Sequence, residues 1–85
     1  MTFSVEWMPS AEQDLARIWS DNVAERNAIT AANAALEAAL RRDPWAVGES
    51  RDGITRIAFH GPLRVYFDVL ESKRQVLVTS VWLRR

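Results

Sequence analysis

Polar and apolar residues alternate at the start of the chain, and this pattern then changes to helical spacing. The alternation runs from Phe3 to Trp7 and is typical of a half-buried strand. Pro9 ends the strand pattern. Ser10 stands three residues before Gln13, which is the spacing of a capping box that opens a helix. We therefore expect a first strand that leads directly into a helix.

Two helical patterns follow each other with only a short junction. The first spans residues 11–25, and the second begins at Asn27, whose side chain suits an N-cap, and ends at Asp43-Pro44. The apolar face of the first helix consists of Leu15, Ile18, Trp19 and Val23. The apolar face of the second consists of Ile29, Ala32, Leu36, Ala39 and Leu40. Because the junction is short, the two helices should form an antiparallel hairpin.

The last part of the chain predicts three consecutive strands. After a loop over residues 45–53, strand-like runs cover residues 54–60, 63–70 and 75–83, with short connections suited to hairpins. The predicted order is β-α-α-β-β-β. This order indicates an α+β fold in which the helical hairpin packs on one face of a mostly antiparallel sheet. The length of 85 residues fits one domain spanning 1–85.

Composition and charge narrow the classes of function. The sequence contains no cysteine, which excludes disulfides and cysteine-based zinc sites and suits a cytoplasmic protein. No apolar run is long enough for a membrane helix, so no membrane partner is expected. Residues 1–40 hold two arginines and six acidic residues, whereas residues 41–85 hold nine basic and five acidic residues. The halves therefore carry −4 and +4, and a basic surface is expected on the second half.

Six segments, spread over nearly the whole chain, form a recognisable series. They are Pro9–Trp19, Ala24–Asn27, Asp43-Pro44, Gly48, Gly61–Val69 and Arg74–Val81. In their order and spacing, these segments resemble the RelE/ParE superfamily of bacterial toxins.

The resemblance implies the toxin of a type II toxin–antitoxin pair, of the kind linked to plasmid stabilisation. ParE-like members inhibit DNA gyrase, whereas RelE-like members cut messenger RNA in the ribosomal A site without a metal or cofactor. Both are silenced by a cognate antitoxin protein. Three hypotheses therefore stand: a ParE-like inhibitor, a RelE-like ribosome-dependent endonuclease, and a non-toxic binding domain of the same fold. A homodimer and a toxin–antitoxin hetero-oligomer both remain open.

The resemblance also suggests site residues on the predicted strands. Arg64 matches the central-strand arginine of the family, Arg56 a basic position on the preceding strand, and Arg84 the arginine after the last strand. His60 is a candidate acid or base if the chain is a nuclease. By strand parity, Arg56, His60, Arg64 and Tyr66 are expected to converge on one sheet face. The alternative is that these are surface charges, a turn histidine and a packing tyrosine.

Two departures from the nuclease pattern favour binding over catalysis. Ala58 occupies a position where RelE-like proteins often have lysine, and the sequence ends at Arg85, before the C-terminal tyrosine or histidine of active relatives. Among the four tryptophans, Trp45 and Trp82 are candidate binding anchors, and the alternative is that they cap the open edges of a small core. The remaining two, Trp7 and Trp19, are expected in the core.

Overall fold

Two helices cover one face of a five-stranded sheet in the computed structural model, which describes residues 2–84. The elements are β1 Ser4–Trp7, α1 Pro9–Asp21, α2 Arg26–Arg42, β2 Glu49–Asp52, β3 Thr55–His60, β4 Leu63–Leu70 and β5 Gln75–Leu83. Short 3₁₀ turns cover Val23–Glu25, Pro44–Ala46 and Glu71–Lys73. The predicted α+β class, with a helical hairpin on a mostly antiparallel sheet, is confirmed. No helix among residues 2–84 is both long and apolar enough to cross a membrane.

The strand order across the sheet is β1-β5-β4-β3-β2. β1 runs parallel to β5, and the other neighbours are antiparallel. The β3–β4 and β4–β5 pairs come from consecutive hairpins, while the long excursion through α1 and α2 allows β1 to lie parallel beside β5. The basic second half of the sequence therefore supplies the centre of the sheet.

The core lies between the helices and one face of the sheet. β4 alternates strictly between buried and half-buried residues, and its helix-facing side chains include the fully buried Phe67. The helices contribute apolar residues at helical spacing. The fully buried large side chains are Ile29, Leu36, Leu40, Leu63, Val65, Phe67, Val69, Val76, Val78 and Val81, together with Pro44.

The helix starts differ from the sequence-based expectation. α1 begins at Pro9 after Met8, and Ser10 does not cap it; the Ser10 hydroxyl donates instead to the carbonyl of Thr79, at 3.4 Å. Asn27 is not an N-cap either, because α2 already begins at Arg26, directly after the 3₁₀ turn. A proline in the first helical position has a suitable φ and needs no hydrogen-bond acceptor for a backbone N–H. That local preference moves the start of α1 two residues earlier than predicted.

A fifth strand lies in the segment 45–53, which the sequence predicts as a loop. β2 pairs antiparallel with β3, although all four of its residues are exposed and its sequence has no apolar alternation. The preceding turn passes very close to β3 at Gly48, which has φ of +64°. Arg56 holds this turn by donating to the carbonyls of Val47 and Gly48. Tertiary contacts, and not the local sequence pattern, therefore create β2.

Candidate functional site

The sheet has one face that the helices leave open, and we call it the open face. Opposed residues on antiparallel strands share a face, so the register identifies its members. Phe59 faces Arg64, and Arg64 faces Trp82 on the next strand. Phe59 and Trp82 are large apolar side chains that are 49% and 50% exposed. An exposed aromatic pair around an arginine is a common composition for a binding surface.

The cationic row is the line Phe59, Arg64 and Trp82 together with Arg84. The guanidinium carbon of Arg64 lies 5.4 Å from the centre of the Trp82 ring, and that of Arg84 lies 4.8 Å from the centre of the Phe59 ring. The backbone N–H of Arg84 donates to the carbonyl of Pro62, which holds this residue near the β3–β4 turn. Two positive charges and two aromatic rings thus alternate at one end of the open face.

A second line of residues crosses all five strands, and we call it the acidic row. Asp52 faces Thr55, and Thr55 faces Asp68. Leu77 continues the line on β5, and Glu6 lies beside it on β1. Three carboxylates therefore stand on a line parallel to the cationic row. Since Arg64 and Asp68 are four residues apart on one strand, the rows are separated by about 13 Å.

A shallow cavity of about 430 Å³ lies between the two rows. Its walls include Arg64, Tyr66, Asp68 and Ser80. The Thr55 hydroxyl donates to the Asp68 carboxylate at 2.6 Å, so the acidic end is ordered. At the other end, Nε of Arg64 is buried, and no group within residues 2–84 accepts a hydrogen bond from it. The cavity thus has the arginine Arg64 at one end and a carboxylate at the other.

The predicted convergence of Arg56 and His60 with Arg64 and Tyr66 is wrong. Arg56 faces Phe67, and His60 faces Leu63, so both point toward the helix side of the sheet. Arg64 and Tyr66 lie on the open face. The guanidinium of Arg56 donates to the carbonyls of Val47 and Gly48, at 3.1 and 3.0 Å. Arg56 therefore supports the turn before β2, and His60 is separated from Arg64 by the sheet.

Ala58 does not lie on the open face. It is buried on the helix side opposite Val65, so a lysine at this position would point into the core. On the open face, β3 presents Thr55, Ile57 and Phe59 instead. None of these three side chains can transfer a proton at neutral pH. β3 therefore presents no general acid or base on the open face. The reason is that Thr55, Ile57 and Phe59 occupy this face, and not that residue 58 is alanine.

The tryptophans divide differently from the prediction. Trp82 lies on the open face, whereas Trp45 is exposed outside that face and donates its indole N–H to Glu71 at 2.6 Å. This bond, followed by the bond from Arg74, lowers the pKa of Glu71. Trp7 packs against the core as expected. Trp19 is 42% exposed, so its assignment to the core is wrong.

Trp19 instead lines an apolar groove of about 600 Å³ along the helical hairpin. The groove also includes Trp7, Leu15 and Ile29, and its polar wall includes Asn33. The Oδ1 atom of Asn33 is buried, and no donor within residues 2–84 bonds to it. A groove of this size and composition can hold one face of a partner segment. The chain thus has two separate candidate surfaces on opposite sides of the molecule.

No protein-family model and no curated protein sequence matches the chain at a significant level. Solved structures do match its fold. It is similar to a chain of the RelBE2 toxin–antitoxin complex from Mycobacterium tuberculosis, with 21% identity, a TM-score of 0.69, and coverage of 99% of this chain and 93% of that one. It is also similar to a chain of the chromosomal ParDE system from P. aeruginosa, with 15% identity, a TM-score of 0.77, and coverage of 98% and 97%.

A third similar structure, TrmO from P. aeruginosa, has 19% identity and a TM-score of 0.57, and the match covers 94% of this chain but only 33% of that one. The first two structures match over nearly their whole length. The chain therefore has the fold seen in RelE/ParE-like toxins, as the sequence resemblance predicted. Identities of this size establish the fold and leave the activity to be argued from the site.

Proposed function

We propose that the chain is the toxin of a type II toxin–antitoxin pair and that it acts in the ParE-like manner, by binding and inhibiting a macromolecular target such as DNA gyrase. The fold is consistent with this role. The observation that carries the proposal is the pairing of a cationic row with an acidic row on one open face. A surface of mixed sign suits a protein target, whose own surface carries both charges.

The acidic row argues against a nucleic-acid strand as the main ligand. A strand that runs along β4 from Arg64 would meet Asp68 after about 13 Å, a distance of about two nucleotides, and the row extends across the whole sheet. Nucleic-acid sites normally follow the phosphates with positive charge over several nucleotides. The open face offers that charge only at one end.

The geometry also separates His60, the predicted acid or base, from Arg64. Removal of a proton from a ribose hydroxyl and protonation of a leaving oxygen require an acid and a base beside the phosphate. His60, the only histidine, lies on the other side of the sheet from Arg64. Arg64, Trp82 and Phe59 are therefore proposed as the target-binding residues, with Arg84 beside them. Arg56 and Trp45 are not proposed as target contacts.

Inhibition of DNA supercoiling by purified gyrase tests this proposal. The wild-type chain should inhibit the reaction, and Arg64→Ala and Trp82→Ala should each weaken inhibition by tenfold or more, as expected of anchor residues worth about 1.4 kcal/mol or more. Arg42→Ala, which removes an exposed arginine at the end of α2, is the matched control and should inhibit like the wild type. Full supercoiling activity at saturating wild-type chain would contradict the proposal.

The antitoxin is proposed to use the groove of the helical hairpin. An amphipathic segment could place apolar side chains against Trp19 and Leu15, and its acidic residues could extend to neutralise Arg64 or Arg84. Co-expression with the product of the adjacent small open reading frame should give a stable complex. Trp19→Glu should weaken that complex without changing inhibition of gyrase. If the chain is co-expressed with the neighbouring product but purifies alone, this result would count against an antitoxin of this kind.

One observation favours a RelE-like nuclease as the second candidate. Arg64 lines one cavity with Tyr66 and Trp82, and its guanidinium could hold a phosphate next to a stacked base. Primer extension on programmed ribosomes should then show A-site cuts that disappear in Arg64→Ala. Intact message under those conditions would exclude this candidate. Harmless overexpression without antitoxin would instead favour a non-toxic binding domain.

A further inference from the structure

The two rows of the open face are related by position as well as by charge. On β4, Arg64 lies two residues before Tyr66, and Asp68 lies two residues after it. The neighbouring strands follow the same levels: Trp82 is level with Arg64, and Leu77 is level with Asp68. Opposite charges therefore lie at equal distances, about 6.5 Å, on either side of the level of Tyr66.

We propose that the open face binds the open face of a second copy of this chain, in a two-fold symmetric dimer. The two-fold axis lies between the two sheets, perpendicular to the strands, at the level of Tyr66. A half-turn about this axis places β4 of the second copy over β4 of the first copy, with the strand direction reversed. It places Arg64 of each copy over Asp68 of the other, and Trp82 over Leu77. A two-fold interface requires such self-complementarity, and most homo-oligomers are built this way.

The geometry of packed sheets allows these pairs to form. Face-to-face sheets lie about 10 Å apart and cross at about −30°. At about 6.5 Å from the axis, a rotation of that size displaces the two rows by about 3 Å, which an arginine side chain can span. The net charge of zero means that a second copy is not repelled at long range. Phe59 and Trp82 would both lose solvent contact.

The size of the face predicts a weak dimer. Five strands about 4.8 Å apart and about 20 Å of strand length give roughly 500 Å² of planar surface on each copy. This area is at the lower end of specific interfaces, so monomer and dimer should exchange with concentration. Because the same surface is the proposed target site, the dimer would mask that site. The dimer itself does not depend on the proposed function.

Charge reversal tests the proposed pairing. In Arg64→Glu, a glutamate would face Asp68 of the other copy, and in Asp68→Lys, a lysine would face Arg64; each variant alone should dimerise at least tenfold more weakly than the wild type by sedimentation equilibrium. In an equimolar mixture, both facing pairs become opposite in sign. The mixture should therefore form a heterodimer with an affinity close to that of the wild type. Higher salt should weaken the wild-type dimer.

A cross-linking experiment gives a second test that does not depend on charge. The chain has no cysteine, so Tyr66→Cys introduces a single thiol at the level of the axis. Since packed sheets lie about 10 Å apart, a bis-maleimide of about 8 Å span should join two copies efficiently. Ser20→Cys, on the helical hairpin, is the control and should not cross-link. Circular dichroism of each variant shows that it is folded.

Three results would overturn the dimer. They are a wild-type chain that stays monomeric up to its solubility limit, reversal variants that dimerise as strongly as the wild type, and a Tyr66→Cys chain that cross-links no better than the control. If the wild type is monomeric and Arg64→Glu loses only gyrase inhibition, the open face serves a foreign protein instead. If the dimer forms and gyrase is unaffected, the proposed function fails and the dimer stands.

Discussion

Removal of the side chains of Arg56 and Arg64 should have different main effects, one on stability and the other on target binding. Arg56 donates from Nε to the carbonyl of Val47 at 3.1 Å and from Nη2 to the carbonyl of Gly48 at 3.0 Å. Arg64 makes no side-chain hydrogen bond within residues 2–84, and its Nε is buried without an acceptor. Arg56→Ala should therefore lower stability, whereas Arg64→Ala should lower binding to the target.

The structure gives the size of the expected difference. A hydrogen bond from a charged donor contributes about 1.5–3 kcal/mol when buried, and the guanidinium of Arg56 is partly exposed, so we expect about 2 kcal/mol for its two bonds together. Arg64 would lose only its interaction with Trp82, about 0.5–1 kcal/mol at a half-exposed ring. In a domain of this size, the difference of about 1 kcal/mol or more corresponds to roughly 4–8 °C in Tm.

Thermal and urea unfolding of the two alanine variants measure the difference in stability. Inhibition of gyrase per folded molecule measures the loss of target binding. Arg56→Lys is a useful control, because it keeps the charge but cannot form both hydrogen bonds with the fork geometry of arginine. Equal losses of stability in Arg56→Ala and Arg64→Ala would refute the reasoning. So would a folded Arg56→Ala that loses inhibition while Arg64→Ala keeps it.

Three further predictions concern the fold around the site. Gly48 and Gly53 both have positive φ, at +64° and +58°, but a Cβ on Gly48 would overlap a backbone carbonyl of β3, whereas a Cβ on Gly53 meets nothing within 4 Å. Gly53→Ala should therefore cost about 1 kcal/mol in urea unfolding and Gly48→Ala more than about 3 kcal/mol, and equal costs would contradict the steric explanation. The hydrogen bond from Trp45 lowers the pKa of Glu71. The stabilisation that this bond gives to the fold is therefore complete above the pKa of Glu71 in the unfolded chain, and it is lost as the pH falls through the lowered pKa of Glu71 in the folded chain. The indole N–H resonance of Trp45 should report this step in acid, and a step that persists in Glu71→Gln would rule out the assignment. Phe67→Ala, at a fully buried core position, should cost about 3–5 kcal/mol in urea unfolding, and a cost below about 1 kcal/mol would show that the position is not tightly packed.

The strands of the second half were predictable because their local pattern agrees with their tertiary role. β4 and β5 have the bounds that the sequence predicts, since β-branched and aromatic residues fill both runs and short turns separate them. β2 was not predictable in the same way. Its four exposed residues carry no apolar alternation, and it forms because Arg56 and Gly48 bring the preceding turn against β3. Such long-range contacts leave no periodic signal in a sequence.

The incorrect grouping of Arg56 with Arg64 could have been avoided from the sequence. A two-residue connection at Gly61-Pro62 fixes the β3–β4 register, because His60 must then face Leu63. Counting back from that pair places Arg56 opposite a core position and not beside Arg64. Parity within each strand alone does not show this difference, because it leaves the pairing across the turn undefined. The turn therefore contained enough information to assign the two arginines to different faces.

The position of Trp82 could not be obtained by such counting, and the cationic row depends on it. Val76 and Val78 face the helices, so strict alternation would continue with Ser80 and would also turn Trp82 toward the core. The register shifts between Tyr66 and Phe67, where Val78 and Ser80 are the successive β5 partners and Thr79 is the extra residue of a bulge. After the bulge, Trp82 points to the open face beside Arg64. One inserted residue therefore turns Trp82 from the core side to the open face, while the spacing of the valines keeps the core filled on both sides of the bulge.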